Sequence, residues 1–274
     1  MIDKSKLEKI KQNFNTSMKC SVYLYNLKHS DVNINMFQDS FDESFRKLKI
    51  RSRARLYPNK RVGFFPVAGD PIHWAHLLTA FKILADYDLD QIVIISGGYD
   101  PSKPKLVHPD IRFPMIKEAL KIFEGVIVLS DITLEKEYAL QKGENNLFNL
   151  LHQAPATYDA YYIVGSDHYN WSVTGKDGVT RDDTLKILSD NIEKNKFKRE
   201  HTISAIFILR GGESAEELNA IKPPKFKVLF NEPHFAYSST QIRNEFKNPT
   251  NEGSITYVPS NIYNMIVEKN LYVS

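Results

Sequence analysis

Residues 61–76 read Arg-Val-Gly-Phe-Phe-Pro-Val-Ala-Gly-Asp-Pro-Ile-His-Trp-Ala-His. Arg61 to Val67 is a short apolar run that predicts a buried strand, Ala68-Gly69-Asp70-Pro71 a turn, and Ile72 onward a helix with Leu77, Leu78, Phe81 and Leu84 on one face. Strand, tight turn and helix in immediate succession make the opening unit of an α/β fold. His73 and His76 then fall in the first helical turn on one face, beside free backbone N–H groups and the partial positive charge of a helix start. Such a place suits a polyphosphate. The pair by itself also fits two surface residues or two ligands of a zinc site, although a single cysteine, Cys20, argues against a thiolate-rich structural zinc.

Working outward, strand-like runs at 62–66, 91–96, 126–129, 160–164, 203–209 and 226–230 alternate with helical ones at 72–87, 110–123, 145–153, 181–195, 239–247 and 260–269. That alternation predicts an α/β, Rossmann-like doubly wound parallel sheet over residues 61–274, with residues 1–60 as an N-terminal extension. In such sheets ligands bind outside the carboxyl ends of the strands. The turn before His73, the Ser96-Gly97-Gly98 turn, the Gly165–Asp167 segment and the turn before Ser238 all fall there. No internal repeat or low-complexity segment interrupts the pattern.

A second helix start lies at Tyr237-Ser238-Ser239-Thr240-Gln241-Ile242-Arg243. Ser238 or Ser239 can cap it and Gln241 can complete a capping box, which is already a sufficient structural reason for the serines. Arg243 adds a guanidinium fork one turn inside, so hydroxyls, amides and charge would face one anion.

Composition bounds the class. At 274 residues, with 42% hydrophobic and 12% aromatic content, the chain can bury a substantial core. It has no apolar run long enough for a membrane span and no signal-peptide core in Met1 to Phe14, so a cytoplasmic protein without membrane contact is expected. A lone cysteine fits a reducing compartment. A net charge of +3 is too mild to argue for nucleic acid as a partner.

His73-Trp74-Ala75-His76 after Asp70-Pro71 resembles the HxGH motif of the nucleotidyltransferase superfamily, and Ser238 to Arg243 is similar to its ISSTxIR motif in the form found in nicotinate/nicotinamide mononucleotide adenylyltransferases. Between them, Tyr162 to His168 resembles the family's strand-end GxD segment. Lys103-Pro104 with His108 to Met115 is similar to its loop and following helix. Arg210-Gly211 looks like its Arg-x-Gly-like strand end, and Tyr257-Val258-Pro259 through Leu271-Tyr272 resembles its ending. The resemblance runs in order from residue 61 to 273. The sequence departs from it where Pro66-Val67-Ala68-Gly69 replaces a glycine-led turn, and at Ala75.

The resemblance implies adenylyl transfer from ATP to a pyridine mononucleotide, with Mg²⁺ accompanying ATP. His73, His76 and Arg243 would be catalytic. Gly69, Asp70, Gly165, Asp167, Arg210, Ser238, Ser239 and Thr240 would hold ATP, and Lys103, Asn145, Asn146 and Trp171 the second substrate. Trp74, Trp171 or Tyr99 could stack on the pyridine ring, core packing being the alternative for each. Another nucleotidyl transfer, to phosphopantetheine or of a cytidylyl group, and a non-catalytic nucleotide-binding regulator remain open.

Two regions lie outside this scheme. In residues 1–60 the apolar run Cys20–Tyr25 reads as a strand needing burial at a sheet edge or across a subunit boundary, which would make a homo-oligomer. The basic stretch Phe45–Arg55 reads as a solvated helix face or as a patch that holds RNA or a nucleotide phosphate. Residues 174–200, with the Gly175-Lys176-Asp177-Gly178 turn, read as a surface excursion.

Overall fold

The computed structural model describes residues 2–26, 35–51, 57–98, 105–175, 177–209, 214–220, 226–231, 238–247 and 257–273. Two helices come first, α1 (Lys4–Asn26) and α2 (Asn35–Arg51). The repeating unit follows as β1 (Lys60–Val67), α3 (Trp74–Asp86), β2 (Gln91–Ser96), α4 (Pro109–Leu120), β3 (Ile127–Ser130), α5 (Gly143–Gln153) and β4 (Tyr158–Gly165). A small hairpin of β5 (Ser172–Thr174) and β6 (Thr180–Asp182) leads to α6 (Thr184–Lys194), β7 (Thr202–Ile208), α7 (Ala215–Asn219), β8 (Lys227–Asn231), α8 (Ser239–Lys247) and α9 (Ser260–Glu268).

Among the described residues six strands form one sheet in the order β3-β2-β1-β4-β7-β8, and every pairing is parallel. Parallel strands need crossover helices on the faces, so both faces must be apolar. Successive side chains divide accordingly. Phe65 and Val67 of β1, Tyr161 and Ile163 of β4, and Ile206 and Ile208 of β7 enter the core shared with α3, α4, α8 and α9. Their neighbours Val62, Phe64, Ala160, Tyr162, Val164, Ala205 and Phe207 enter a second core, which also takes Leu147 of α5 and Leu185 and Leu188 of α6. The chain winds outward through β2 and β3 on one side of β1 and through β7 and β8 on the far side of β4. The β1/β4 boundary is therefore the topological switch point, where a crevice opens at the carboxyl ends of the strands.

Three local readings change. Cys20–Tyr25 is not a strand: the backbone there continues α1, whose Leu7, Ile10, Phe14 and Met18 recur at helical spacing and are buried. No added edge strand exists there, and the reason it gave for a homo-oligomer falls away. His73 is the residue before the helix, with extended backbone (φ −145°, ψ 170°), so α3 begins at Trp74. Within 174–200 only part is surface, because α6 buries Leu185 and Leu188 completely.

Candidate active site

The turn that leaves β1 is held from three directions. Gly69 has φ +64°, and a Cβ on it would lie 2.6 Å from Ile116 Cδ1 of α4, so only glycine fits without strain. Asp70 is fully buried, and its Oδ1 accepts a 2.7 Å hydrogen bond from the Tyr272 hydroxyl beyond α9. Arg243 Nη1 donates to the Asp70 backbone carbonyl and lies 3.5 Å from Oδ2, while Nη2 donates to Thr240 Oγ1 at 3.0 Å. Ser239 Oγ donates to the Pro71 carbonyl at 3.2 Å. The starts of α3 and α8, far apart in sequence, are thus bonded into one unit. Ser238 and Gln241 make the reciprocal capping bonds, Gln241 N–H to Ser238 Oγ at 3.3 Å and Ser238 N–H to Gln241 Oε1 at 2.7 Å. Burial, with the Asp70 charge beside it, drives the Tyr272 hydroxyl far above its ordinary pKa, so it serves as a donor.

At the head of α3 the His73 and His76 rings stack, centroids 3.6 Å apart and planes 24° from parallel. His73 is buried and His76 half-buried. The extended backbone at His73, rather than a shared helical turn, lets its ring fold over His76.

Arg112 of α4 organises the neighbouring loops. Its guanidinium, 1% exposed, donates through Nε to the Val107 carbonyl (2.6 Å) and through Nη1 to the Ala68 carbonyl (2.6 Å) and Ser96 Oγ (3.1 Å). Nη2 reaches the carbonyls of Gly97 (2.7 Å) and Gly98 (3.0 Å). Burial lowers its pKa, and the Asp70 charge opposes that shift. One side chain therefore ties the loops after β1 and β2 together.

Between those loops and β4 lies a cleft of about 510 Å³. Its walls start at Pro66–Ala68, which lead into the histidine turn, and include Ser96–Gly98, Thr133, Lys142–Glu144, Tyr162, His168 and Asp183. Gly143 opens α5 against the sheet: a Cβ there would lie 2.7 Å from the Tyr162 hydroxyl and 2.8 Å from Pro66 Cβ. Glu144 is buried and accepts from Thr184 Oγ1 at 2.6 Å. The Tyr162 hydroxyl is pushed well up by burial and by the Glu144 charge. Lys142 Nζ donates to the Asp182 carbonyl at 2.6 Å and stands 3.8 Å from Asp183 Oδ1, placing a cation at the rim.

The remaining candidates sort by position. Gly165 is buried at the end of β4, and Asp167 is exposed in the 3-10 turn that follows, 3.6 Å from His168. Asn145 does not face the cleft: its Oδ1 accepts from Asn191 of α6 at 3.1 Å, which makes it a helix–helix contact. Asn146 lines the cleft but is buried, and its amide donates to the carbonyls of Tyr138 and Gln141, so it shapes a loop. Trp171 packs half-buried against the second core and is not part of the cleft wall. Trp74 is fully buried in the first core, so it cannot stack on a ligand. Asp70, wholly internal, positions the turn rather than offering its carboxylate outward. Lys103, Arg210, Tyr99 and Tyr237 lie outside the described residues. Lys142, Glu144 and Asp183 carry no motif signal, whereas Tyr272 belongs to the family-like ending but with no role read from it. Arg112, set among Phe113, Met115, Ile116 and Ala119 on an apolar helix, did carry one: a lone guanidinium at a core position needs buried acceptors.

Strand order, a crevice at the switch point and two polar helix starts bonded together define an α/β nucleotide-binding protein. A family model described as cytidylyltransferase-like matches residues 68–245. A probable nicotinate-nucleotide adenylyltransferase of Clostridium novyi is 30% identical over 224 residues, covering 78% of this chain and 99% of the relative. One of Clostridium botulinum (strain Alaska E43) is 29% identical over 222 residues, covering 78% and 98%. The solved structure of Plasmodium falciparum nicotinic acid mononucleotide adenylyltransferase complexed with NaAD superposes with a TM-score of 0.56 at 19% identity, over 78% of this chain and 98% of that one, a likeness of fold. The chain belongs to the nicotinate-nucleotide adenylyltransferase group of the cytidylyltransferase-like family.

Proposed function

We propose that this chain transfers the adenylyl group of ATP to nicotinate mononucleotide, releasing pyrophosphate and forming the dinucleotide used in NAD biosynthesis. The observation that carries the reading is the stacked His73–His76 pair at the head of α3, bonded through the Asp70–Pro71 turn to Ser239 and Arg243 at the head of α8, in the chain segment that follows the Pro66–Ala68 wall of the cleft.

The acceptor phosphate attacks the α-phosphorus and pyrophosphate leaves, so no protein nucleophile is needed and catalysis rests on positioning and charge stabilisation. His73 and His76 donate to phosphate oxygens. Arg243, Ser239 and Thr240 hold the departing end, Arg243 keeping its bond to the turn with one arm of the fork. Gly165 and Asp167 contact the adenosine. Mg²⁺ neutralises the phosphate charge when bound. Mg²⁺ would enter with ATP as its counter-ion; among the described residues no group of three or more His, Cys, Asp or Glu gathers that could hold an ion.

The acceptor's pyridine lies in the 510 Å³ cleft. There the uncapped start of α5 and Lys142 offer donors, while Glu144 and Asp183 on the same wall oppose an anion, so the choice of nicotinate over nicotinamide rests on the names of the relatives. No helix of the described residues is long and apolar enough to cross a membrane. The single, exposed Cys20 supports a reducing, cytoplasmic setting.

Pyrophosphate release from ATP with nicotinate mononucleotide, nicotinamide mononucleotide and phosphopantetheine as acceptors tests the proposal. Turnover fastest with the first is expected; preference for phosphopantetheine, or no turnover with any acceptor, overturns it.

A further inference from the structure

The helices α1 and α2 precede residue 68, where the family model begins, and every residue assigned a chemical role follows them. Yet they do not sit apart from the site. Phe14 of α1 stacks on Phe41 of α2 with centroids 3.8 Å apart and planes 2° from parallel, and Phe41 stacks on Phe81 of α3 at 5.1 Å. The same pair of helices closes on Trp74, the first residue of α3, which lies between His73 and His76. Phe14 meets its ring edge-on at 5.4 Å, and Phe37 lies tilted at 6.4 Å. Trp74 is fully buried, with these two rings against it.

The far end of α3 is gripped as well. Lys47 of α2 donates to Asp86 Oδ1 at 2.7 Å, and Lys82 donates to Asp86 Oδ2 at 2.6 Å. Asn13 of α1 bonds Glu124 at 2.8 Å, fixing α1 to the turn after α4. At its head α3 has no side-chain cap, so the angle at which the chain enters the helix is set by tertiary packing, and the residue packed there is Trp74.

We infer that the α1–α2 pair is a positioning element for the phosphate-binding histidines, acting through Phe14 and Phe37 on Trp74. The inference rests on the adenylyl-transfer reading and adds that the segment outside the family model sets the orientation of the His73–His76 stack. A small tilt at Trp74 moves both rings, because they flank it on the chain, and misplacement of catalytic groups by about 1 Å is enough to cost a large factor in rate.

The test pairs Phe37→Leu with Phe45→Leu. Phe45 is also buried on α2, but it lies about 12 Å further along the helix, against Phe41. With melting temperatures measured for both, Phe37→Leu should lower kcat on the order of 10-fold while KM for ATP changes less than about 2-fold, and Phe45→Leu should leave kcat nearly unchanged at similar stability loss. The imidazole Cε1–H resonances of His73 and His76 in full-length protein should move in Phe37→Leu and not in Phe45→Leu. Should Phe37→Leu fail to fold, Trp74→Phe carries the same expectation. Equal kcat in both variants, or histidine resonances that do not respond to Phe37, overturns the inference. Absence of turnover in wild type would instead overturn the activity reading, and the histidine resonances would still decide the positioning.

Discussion

Replacing Arg112 by methionine removes a buried guanidinium that donates to five acceptors: the carbonyls of Val107, Ala68, Gly97 and Gly98, and Ser96 Oγ. Counted singly, hydrogen bonds from a charged group contribute about 1.5–3 kcal/mol each, which would sum to roughly 7–15 kcal/mol. Two corrections shrink that figure. The cost of burying the guanidinium, seen in its lowered pKa, is no longer incurred, and the exposed Gly97 regains water for its carbonyl. The net loss expected is about 3–5 kcal/mol, within the range for leaving the less accessible Gly98 and Val107 carbonyls unsatisfied at about 1–3 kcal/mol each. For a chain of this size that corresponds to a fall in melting temperature of roughly 6–15 °C, measured by circular dichroism. Because the freed carbonyls belong to the loops after β1 and β2, kcat/KM should fall further than the remaining folded fraction explains. Arg112→Lys should lie between wild type and Arg112→Met, since one ammonium cannot span acceptors on three sides. An Arg112→Met protein melting within about 2 °C of wild type would refute the claim that this guanidinium ties the loops together.

Other substitutions probe separate parts of the argument. His76→Ala and His73→Ala should each lower kcat by about 10²–10³ with the fold retained, and near-normal turnover in folded variants would make the histidines structural. Gly69→Ala forces a left-handed φ on alanine and drives Cβ into Ile116, which should cost roughly 2–4 kcal/mol in urea unfolding; a variant as stable as wild type would contradict the geometry of the turn. His201 is held below its ordinary pKa of 6.5 first by burial, and its Nδ1 accepts the Tyr158 N–H at 3.0 Å at the start of β4. A depressed histidine pKa means the unfolded chain takes up the proton first. Stability from this group is therefore complete above pH 6.5 and declines as pH falls through the folded-state value. Urea midpoints between pH 8 and 5 should accordingly fall less steeply in His201→Gln than in wild type, and parallel slopes would remove His201 from the acid response.

The doubly wound sheet was legible in the sequence, because its six strands and the helices α3 to α6 between them are written in local apolar periodicity that crossover packing then uses; the short α7 and the exposed β5–β6 hairpin bury too little to leave such a pattern. The sequence also located the start of α8, since Ser238 and Gln241 act within a few positions of one another, whereas α3, which no side chain caps, begins two residues later than its apolar pattern predicts. Its failures share a physical cause: they depend on which side chain meets which across the fold. Cys20–Tyr25 is short enough for either period, and the helical spacing of Leu7, Ile10, Phe14 and Met18 decided it as helix. Asn145 and Asn146 are adjacent in the chain, but α5 turns the first toward α6 and the second onto loop carbonyls. Arg243 is legible as a guanidinium at a helix start, whereas its bond to the Asp70 carbonyl exists only once α8 has docked on the turn after β1. Trp74 reads equally as a ring for a ligand or for the core. In the fold Phe14 and Phe37 from the N-terminal helices pack against it, and that contact joins segments whose pairing no local pattern encodes.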